Sequence, residues 1–178
     1  TDITGATLSD NAGSALATFG SGTTVTVTDT VMEGNEFVGA WVIDGATLAI
    51  VGGSVARTGM RNGEGGHGVA AHDGSTLTME DTLVDDQAGV GVYVGAGDAL
   101  STATLTRITV RGTDEGADGH GYGVYAAASG EVTIADCSLE DNVSAGIIAH
   151  GGVISVTGGS VTGTRRPQLS EYQMAAGL

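Results

Sequence analysis

One short pattern recurs along the chain and restricts its folds more than any other feature. An aliphatic residue or methionine is followed five positions later by a second one, and three positions after that by Asn, Gln or Thr. The pattern is read in ITGATLSDN (3–11), VTDTVMEGN (27–35), IVGGSVART (50–58), MEDTLVDDQ (79–87), LTRITVRGT (105–113), IADCSLEDN (134–142) and VTGGSVTGT (156–164). Its second apolar residue gives the column Leu8, Met32, Val55, Val84, Val110, Leu139, Val161, with spacings of 24, 23, 29, 26, 29 and 22. A repeat of this length means a stack of similar units rather than a single closed core.

Within each unit the apolar residues alternate with period two, as in a strand. Val25 and Val27 alternate with Thr24, Thr26 and Thr28, and Leu77 and Met79 with Thr76 and Thr78. A third apolar segment precedes each such pair: LATFG, GAWVI, GVAAH, GVYVG, GVYAA and GIIAH. Each unit therefore carries about three short strands separated by Gly, Asn or Asp turns. A unit this small cannot bury its inner face alone. Stacking units one strand spacing apart, about 4.8 Å, makes a continuous core. The expected fold is an all-β, right-handed parallel β-helix of about six to seven coils of 22–29 residues, forming a single domain over 1–178. Strict hexapeptides, the mark of the left-handed kind, are absent. Both ends fall within a coil, so the chain is expected to be a segment of a longer solenoid.

The interior columns follow from the alignment. Leu48, Leu77, Val132 and Ile154 form one. Ile3, Val27, Ile50, Met79, Leu105, Ile134 and Val156 form the next. The lone cysteine, Cys137, aligns with Ala6, Gly53, Thr82, Ile108 and Gly159 and reads as a small interior filler. Asn11, Asn35, Thr58, Gln87, Thr113, Asn142 and Thr164 fall at one turn, where amides can form a ladder along the stack.

The net charge is −15, lysine is absent and the six basic residues are all arginines. Such a chain has no basic face for a nucleic-acid backbone or an anionic membrane surface. It would repel anionic polysaccharides unless a divalent cation bridged them. No apolar run has the length of a membrane span.

The segments SGTTVTVTDTVMEGN (21–35), VGAWVIDGATLAI (38–50) and VTGTRRPQ (161–168) carry a likeness to known proteins. The chain resembles right-handed parallel β-helix repeat proteins of the pectin-lyase-like fold. Among these it is most similar to the lysine-poor β-helix repeat proteins predicted in myxobacteria and their relatives. The likeness covers nearly the whole chain and implies an extracellular or cell-surface bacterial protein. It specifies fold better than function, because lyases, hydrolases, epimerases and adhesins share this architecture.

Three sets of residues are candidates for function. The first is an outward column reading Thr18, Trp41, Ala70, Tyr93, Tyr125, Ile147. Aromatics are only 4% of the chain, so rings on an outer face call for a use. Their flat faces stack on the apolar faces of sugars and carry a polar handle. Trp41, Tyr93 and Tyr125 are therefore the expected ligand-binding residues, for a neutral polysaccharide or a cell-surface partner. The second set is catalytic. Polygalacturonases of the resembled fold carry Asn-Thr-Asp, Asp-Asp, Gly-His-Gly and Arg-Ile-Lys elements. This chain has Asp85-Asp86 and Gly119-His120-Gly121, which a glycoside hydrolase could use as acid, base and tuning group. Asn-Thr-Asp is missing, however, and Arg107-Ile108-Thr109 precedes the histidine. A lyase would need a basic group over a calcium cluster, and none is visible. The expectation is thus a chain without catalysis or cofactor of its own, with a glycoside hydrolase or lyase using acids near His120 as the rival.

The third set lies in long returns that leave alternate coils after Thr58 and Thr113, about 10 Å apart. Asp114, Glu115 and Asp118 there are the oxygen ligands that could hold Ca²⁺. His67 and His120 both sit in Gly-His-Gly triplets in these returns but fall out of register. Tyr122 aligns with His67 instead. A Thr-rich outer face (Thr24, Thr47, Thr76, Thr26, Thr78, Thr104, Thr133) is similar to the ladders of ice-binding solenoids, with Ala49, Glu131 and Val153 interrupting it.

Overall fold

A computed structural model of the chain describes residues 1–116, 119 and 121–166. Among these residues the chain passes in turn through three parallel sheets. The first runs over Asp2–Thr4, Thr24–Thr28, Thr47–Val51, Thr76–Glu80, Ser101–Thr106, Gly130–Ala135 and Val153–Thr157. The second runs over Thr7–Ser9, Val31–Glu33, Ser54–Ala56, Leu83–Asp85, Thr109–Arg111, Ser138–Glu140 and Ser160–Thr162. The third runs over Leu16–Phe19, Val38–Ile43, His67–Ala71, Val92–Val94, Tyr122–Ala126 and Ala145–Ala149. This is a parallel β-helix. Its strands are hydrogen-bonded only to the coils above and below, so every coil is both template and cap for its neighbours.

Register in the first two sheets is that of the repeat. Val25, Leu48, Leu77, Ala103, Val132 and Ile154 lie on one line, and Ile3, Val27, Ile50, Met79, Leu105, Ile134 and Val156 on the next. Leu48, Leu77, Met79 and Leu105 are fully buried. The interior is aliphatic because each coil brings small inward rows from three directions, and large rings would not fit between them. The glycines that open the third sheet show how close the walls come. A Cβ on Gly68 would stand 2.6 Å from the Gly91 carbonyl oxygen and 2.7 Å from Val84 Cγ1 of the second sheet.

The amide column has one side-chain rung, Asn11 Nδ2–H donating to Asn35 Oδ1 at 2.7 Å, and otherwise straps the backbone. Gln87 accepts from the Thr58 N–H (3.1 Å) and donates to the Val55 and Asp85 carbonyls (2.9 and 2.7 Å). Asn35 donates to Leu8 and Glu33 and accepts from Asn11, and Asn142 does the same with Val110 and Thr113. Each amide thus ties its own coil to the one before it.

The corners also have a rule. The turns leaving the first sheet place Gly5, Asp29, Gly52, Asp81, Arg107, Asp136 and Gly158 at positive φ. Those leaving the second place Asp10, Gly34, Arg57, Asp86, Gly112, Asp141 and Gly163 there. Left-handed backbone favours Gly and tolerates Asp. Aspartates occupy alternate coils over much of both columns, with Gly or Arg between them.

Two expectations are corrected. The outward column of the third sheet begins at Ala17 and ends at Ile148, not at Thr18 and Ile147. Thr18 pairs with the inward Val42, and Ile147 with the inward Val124. A slip of one residue turns a side chain to the other face. His67 is not a loop residue. The return after Thr58 folds into a small antiparallel pair, Met60–Arg61 with Glu64–Gly65, and His67 opens the next strand.

Candidate functional site

The outer face of the third sheet gathers most of the chain's rings. The sequence has two Phe, one Trp and four Tyr; Phe19, Phe37, Trp41, Tyr93, Tyr122 and Tyr125 lie in or beside this sheet, and Tyr172 falls outside the described residues. His67, His72 and His150 join them. Register explains the gathering. Ala17, Trp41, Ala70, Tyr93, Tyr125 and Ile148 share one line. His67 and Tyr122 stand two coils apart on one flanking line, and His72 and His150 three coils apart on the other.

The rings form two arrangements. Around Trp41 they meet edge to face: Phe19 at 5.8 Å and 70°, Phe37 at 5.5 Å and 73°, His72 at 5.9 Å and 80°. The Trp41 Nε1–H also donates to His72 Nδ1 at 3.3 Å. Burial holds the His72 imidazole below its ordinary pKa, with Asp73 opposing it. An acceptor at Nδ1 requires the neutral ring.

Further along, the rings run close to parallel. His67 stacks on Tyr93 (5.2 Å, 23°), Tyr93 overlaps Tyr125 (5.1 Å, 30°) and Tyr125 stacks on Tyr122 (5.5 Å, 11°). These separations are those of offset stacks, in which each ring covers part of its neighbour. His67 is further held by the Val90 N–H, which donates to its Nδ1 at 3.3 Å. Tyr125 Oη and His150 Nδ1 are hydrogen-bonded at 2.8 Å. Burial raises the Tyr93 phenol, and Tyr125 adds to the shift.

A groove of about 650 Å³ runs over this second arrangement, lined by His67, Val90, Tyr93, Tyr122, Tyr125, Ile148, Ala149 and His150. Among the described residues, aromatic faces, two imidazoles and phenol groups make up its chemistry, and no carboxylate lines it. Of the three binding residues expected from sequence, Tyr93 and Tyr125 line the groove and Trp41 does not. The histidines and Tyr122 were the part that sequence reading missed. The signal was the alignment of Tyr122 with His67.

Asp85, Asp86, Asp114 and Glu115 do not line this groove. Asp85 is on the second sheet and is clasped by Arg111 through two contacts of 2.8 and 3.1 Å. Asp86 occupies the left-handed corner that follows it. His120 and Asp118 fall outside the described residues. Asp114 and Glu115 share a shallow hollow with Arg165 and Arg166, whose guanidinium charges oppose the build-up of negative potential that a calcium ion needs. Among the described residues no three His, Cys, Asp or Glu side chains converge as a metal site would require. Cys137 is buried; its thiol is pushed up by burial and donates to the Ala135 and Leu105 carbonyls (3.3 and 3.4 Å). Among the described residues no helix is long and apolar enough to cross a membrane.

Over 122 residues, 66% of this chain, the sequence is 32% identical to the BrkA autotransporter of Bordetella pertussis (strain Tohama I), and the matched stretch covers 11% of that protein. No family model matches the chain, and no solved structure matches it.

Proposed function

We propose that the chain is part of a secreted or surface-exposed bacterial β-helix with a structural and adhesive role, and that its third sheet binds neutral glycans. The observation that carries the binding role is the gathering of rings on one outer face, in a chain otherwise poor in aromatics. Three further facts support the reading. The relative is an autotransporter by name. The net charge of −15 disfavours anionic partners. Among the described residues the groove beside the rings offers stacking surface and hydroxyl partners and no carboxylate.

Binding to an array of neutral polysaccharides tests it, with wild type compared against the combined variant Trp41→Ala, Tyr93→Ala, Tyr125→Ala. Wild type is expected to bind at least one neutral glycan and the variant to lose it. No binding by wild type, or equal binding by both, would overturn the reading. Release of reducing ends that disappears in His120→Ala would instead favour a polysaccharide-active enzyme.

A further inference from the structure

The aromatic face has two parts, joined by an edge-to-face contact of His72 with Tyr93 (5.0 Å, 70°), and the part that borders the open groove holds the binding residues. Trp41 is hemmed by the edges of Phe19, Phe37 and His72, and its N–H is already satisfied by His72. A ring in that setting is cover for the sheet beneath it. The stack His67, Tyr93, Tyr125, Tyr122 borders the open groove, and His150 closes its far side. His150 is exposed, and its hydrogen bond to Tyr125 uses Nδ1. That leaves Nε2 for a ligand hydroxyl.

The groove's chemistry also narrows the ligand. Bidentate recognition of a sugar diol is the work of carboxylate, amide or guanidinium groups, which present paired acceptors or donors. Among the described residues none of these lines the groove. What the described residues offer is ring contact, with single hydrogen bonds from phenol and imidazole. Such a surface favours pyranoses whose hydroxyls are all equatorial, because their two faces are both C–H surfaces. An axial hydroxyl would press a polar group against a ring without a partner. His67, Tyr93 and Tyr125 belong to three successive coils, about 4.8 Å apart, with Tyr122 beside Tyr125 on the same strand, so the groove runs straight along the coil axis. A straight groove suits an equatorially linked, ribbon-like chain.

We infer that Tyr122 and His150, with Tyr93 and Tyr125, form a discrete subsite for an unbranched β-linked glycan of equatorial pyranoses, and that Trp41 lies outside it. This rests on the glycan-binding reading above and makes it specific. Calorimetric titration with cellohexaose and with β-1,4-mannohexaose, whose 2-hydroxyl is axial, tests it on wild type, Tyr122→Ala, His150→Ala and Trp41→Ala, with circular dichroism to check folding. Wild type is expected to bind cellohexaose more tightly than mannohexaose. Tyr122→Ala and His150→Ala should each weaken cellohexaose binding by about tenfold, and Trp41→Ala by less than about twofold. A Trp41→Ala loss with Tyr122→Ala and His150→Ala unchanged would overturn the subsite while leaving glycan binding intact. Equal or tighter binding of mannohexaose would overturn the ligand class. Absence of binding to either sugar overturns this inference, and the polysaccharide array then decides separately whether the broader reading stands.

Discussion

Single side chains show how this fold reuses one solution at equivalent places. Thr30, Thr82 and Cys137 occupy the same corner position, and each donates to the carbonyl two residues back: Thr28, Glu80 and Ala135. Cys137 is therefore a thiol standing where other coils use a hydroxyl. Cys137→Thr is expected to keep stability within about 1 kcal/mol of wild type, since a neutral hydrogen bond contributes on that order. A loss well beyond that in urea unfolding would show that the site is shaped for sulfur. His72 makes a different prediction. Its folded-state pKa is depressed by burial, so the unfolded chain takes up the proton first as pH falls. The stability it contributes is full above the unfolded value, near 6.5, and is lost as pH falls towards the folded pKa. Between about pH 8 and about pH 5, the thermal midpoint should drop more in wild type than in His72→Gln, whose amide oxygen can still accept from Trp41. Equal drops would refute a role for this imidazole.

Strands and turns carry a second lesson, because coils differ in a regular way. Coils bearing Asn35, Gln87 and Asn142 strap the preceding coil through buried amides. Thr58 and Thr113 occupy the same column in the coils between, and it is from these coils that the long returns leave. Removing a strap leaves buried backbone groups without partners, which is costlier than the bond itself. Gln87→Ala frees the Thr58 N–H and the Val55 and Asp85 carbonyls. It is expected to cost on the order of 2–5 kcal/mol in denaturant unfolding, and a cost below about 1 kcal/mol would refute the strap. The strands of the first two sheets and this column were legible in sequence, because aliphatic alternation and turn amides repeat with little variation. The third sheet was less so. In LATFG the one polar residue, Thr18, is buried, and in GIIAH two isoleucines stand side by side, so alternation misplaces Thr18 and Ile147 by one residue. The groove was hidden for a further reason. His67 and Tyr122 face each other across an intervening coil, while His72 and His150 come from the far ends of their strands. Only the stacking of coils makes neighbours of residues so far apart in sequence.

At the scale of the whole molecule, charge and topology meet. The chain carries 21 acidic residues against six arginines, wound into a rod whose coils are about 4.8 Å apart. In-register stacking would place equivalent carboxylates at that separation, where repulsion is strong even near solvent. The corners avoid much of this. Asp29 and Asp81 are separated by Gly52, and Asp81 and Asp136 by Arg107. Arg107 reaches back to Glu80 and Asp81, which holds the Asp81 carboxyl below its ordinary pKa, and Arg111 and Arg57 pair with Asp85 and Glu33. Separation by two coils, about 10 Å, equals roughly one Debye length at moderate salt. Two opposing effects then compete. Salt weakens the exposed ion pairs, each of which contributes little, and it also screens repulsion among the 21 acids, which far outnumber the six arginines. Repulsion has the larger sum. Raising sodium chloride from about 0.01 M to about 0.15 M should therefore raise the thermal midpoint at neutral pH. Arg107→Gln, which removes the cation between Asp81 and Asp136, should make that rise larger. A midpoint that falls with salt in wild type would mean that the arginine pairs, rather than the spacing of the aspartates, govern the rod's electrostatics.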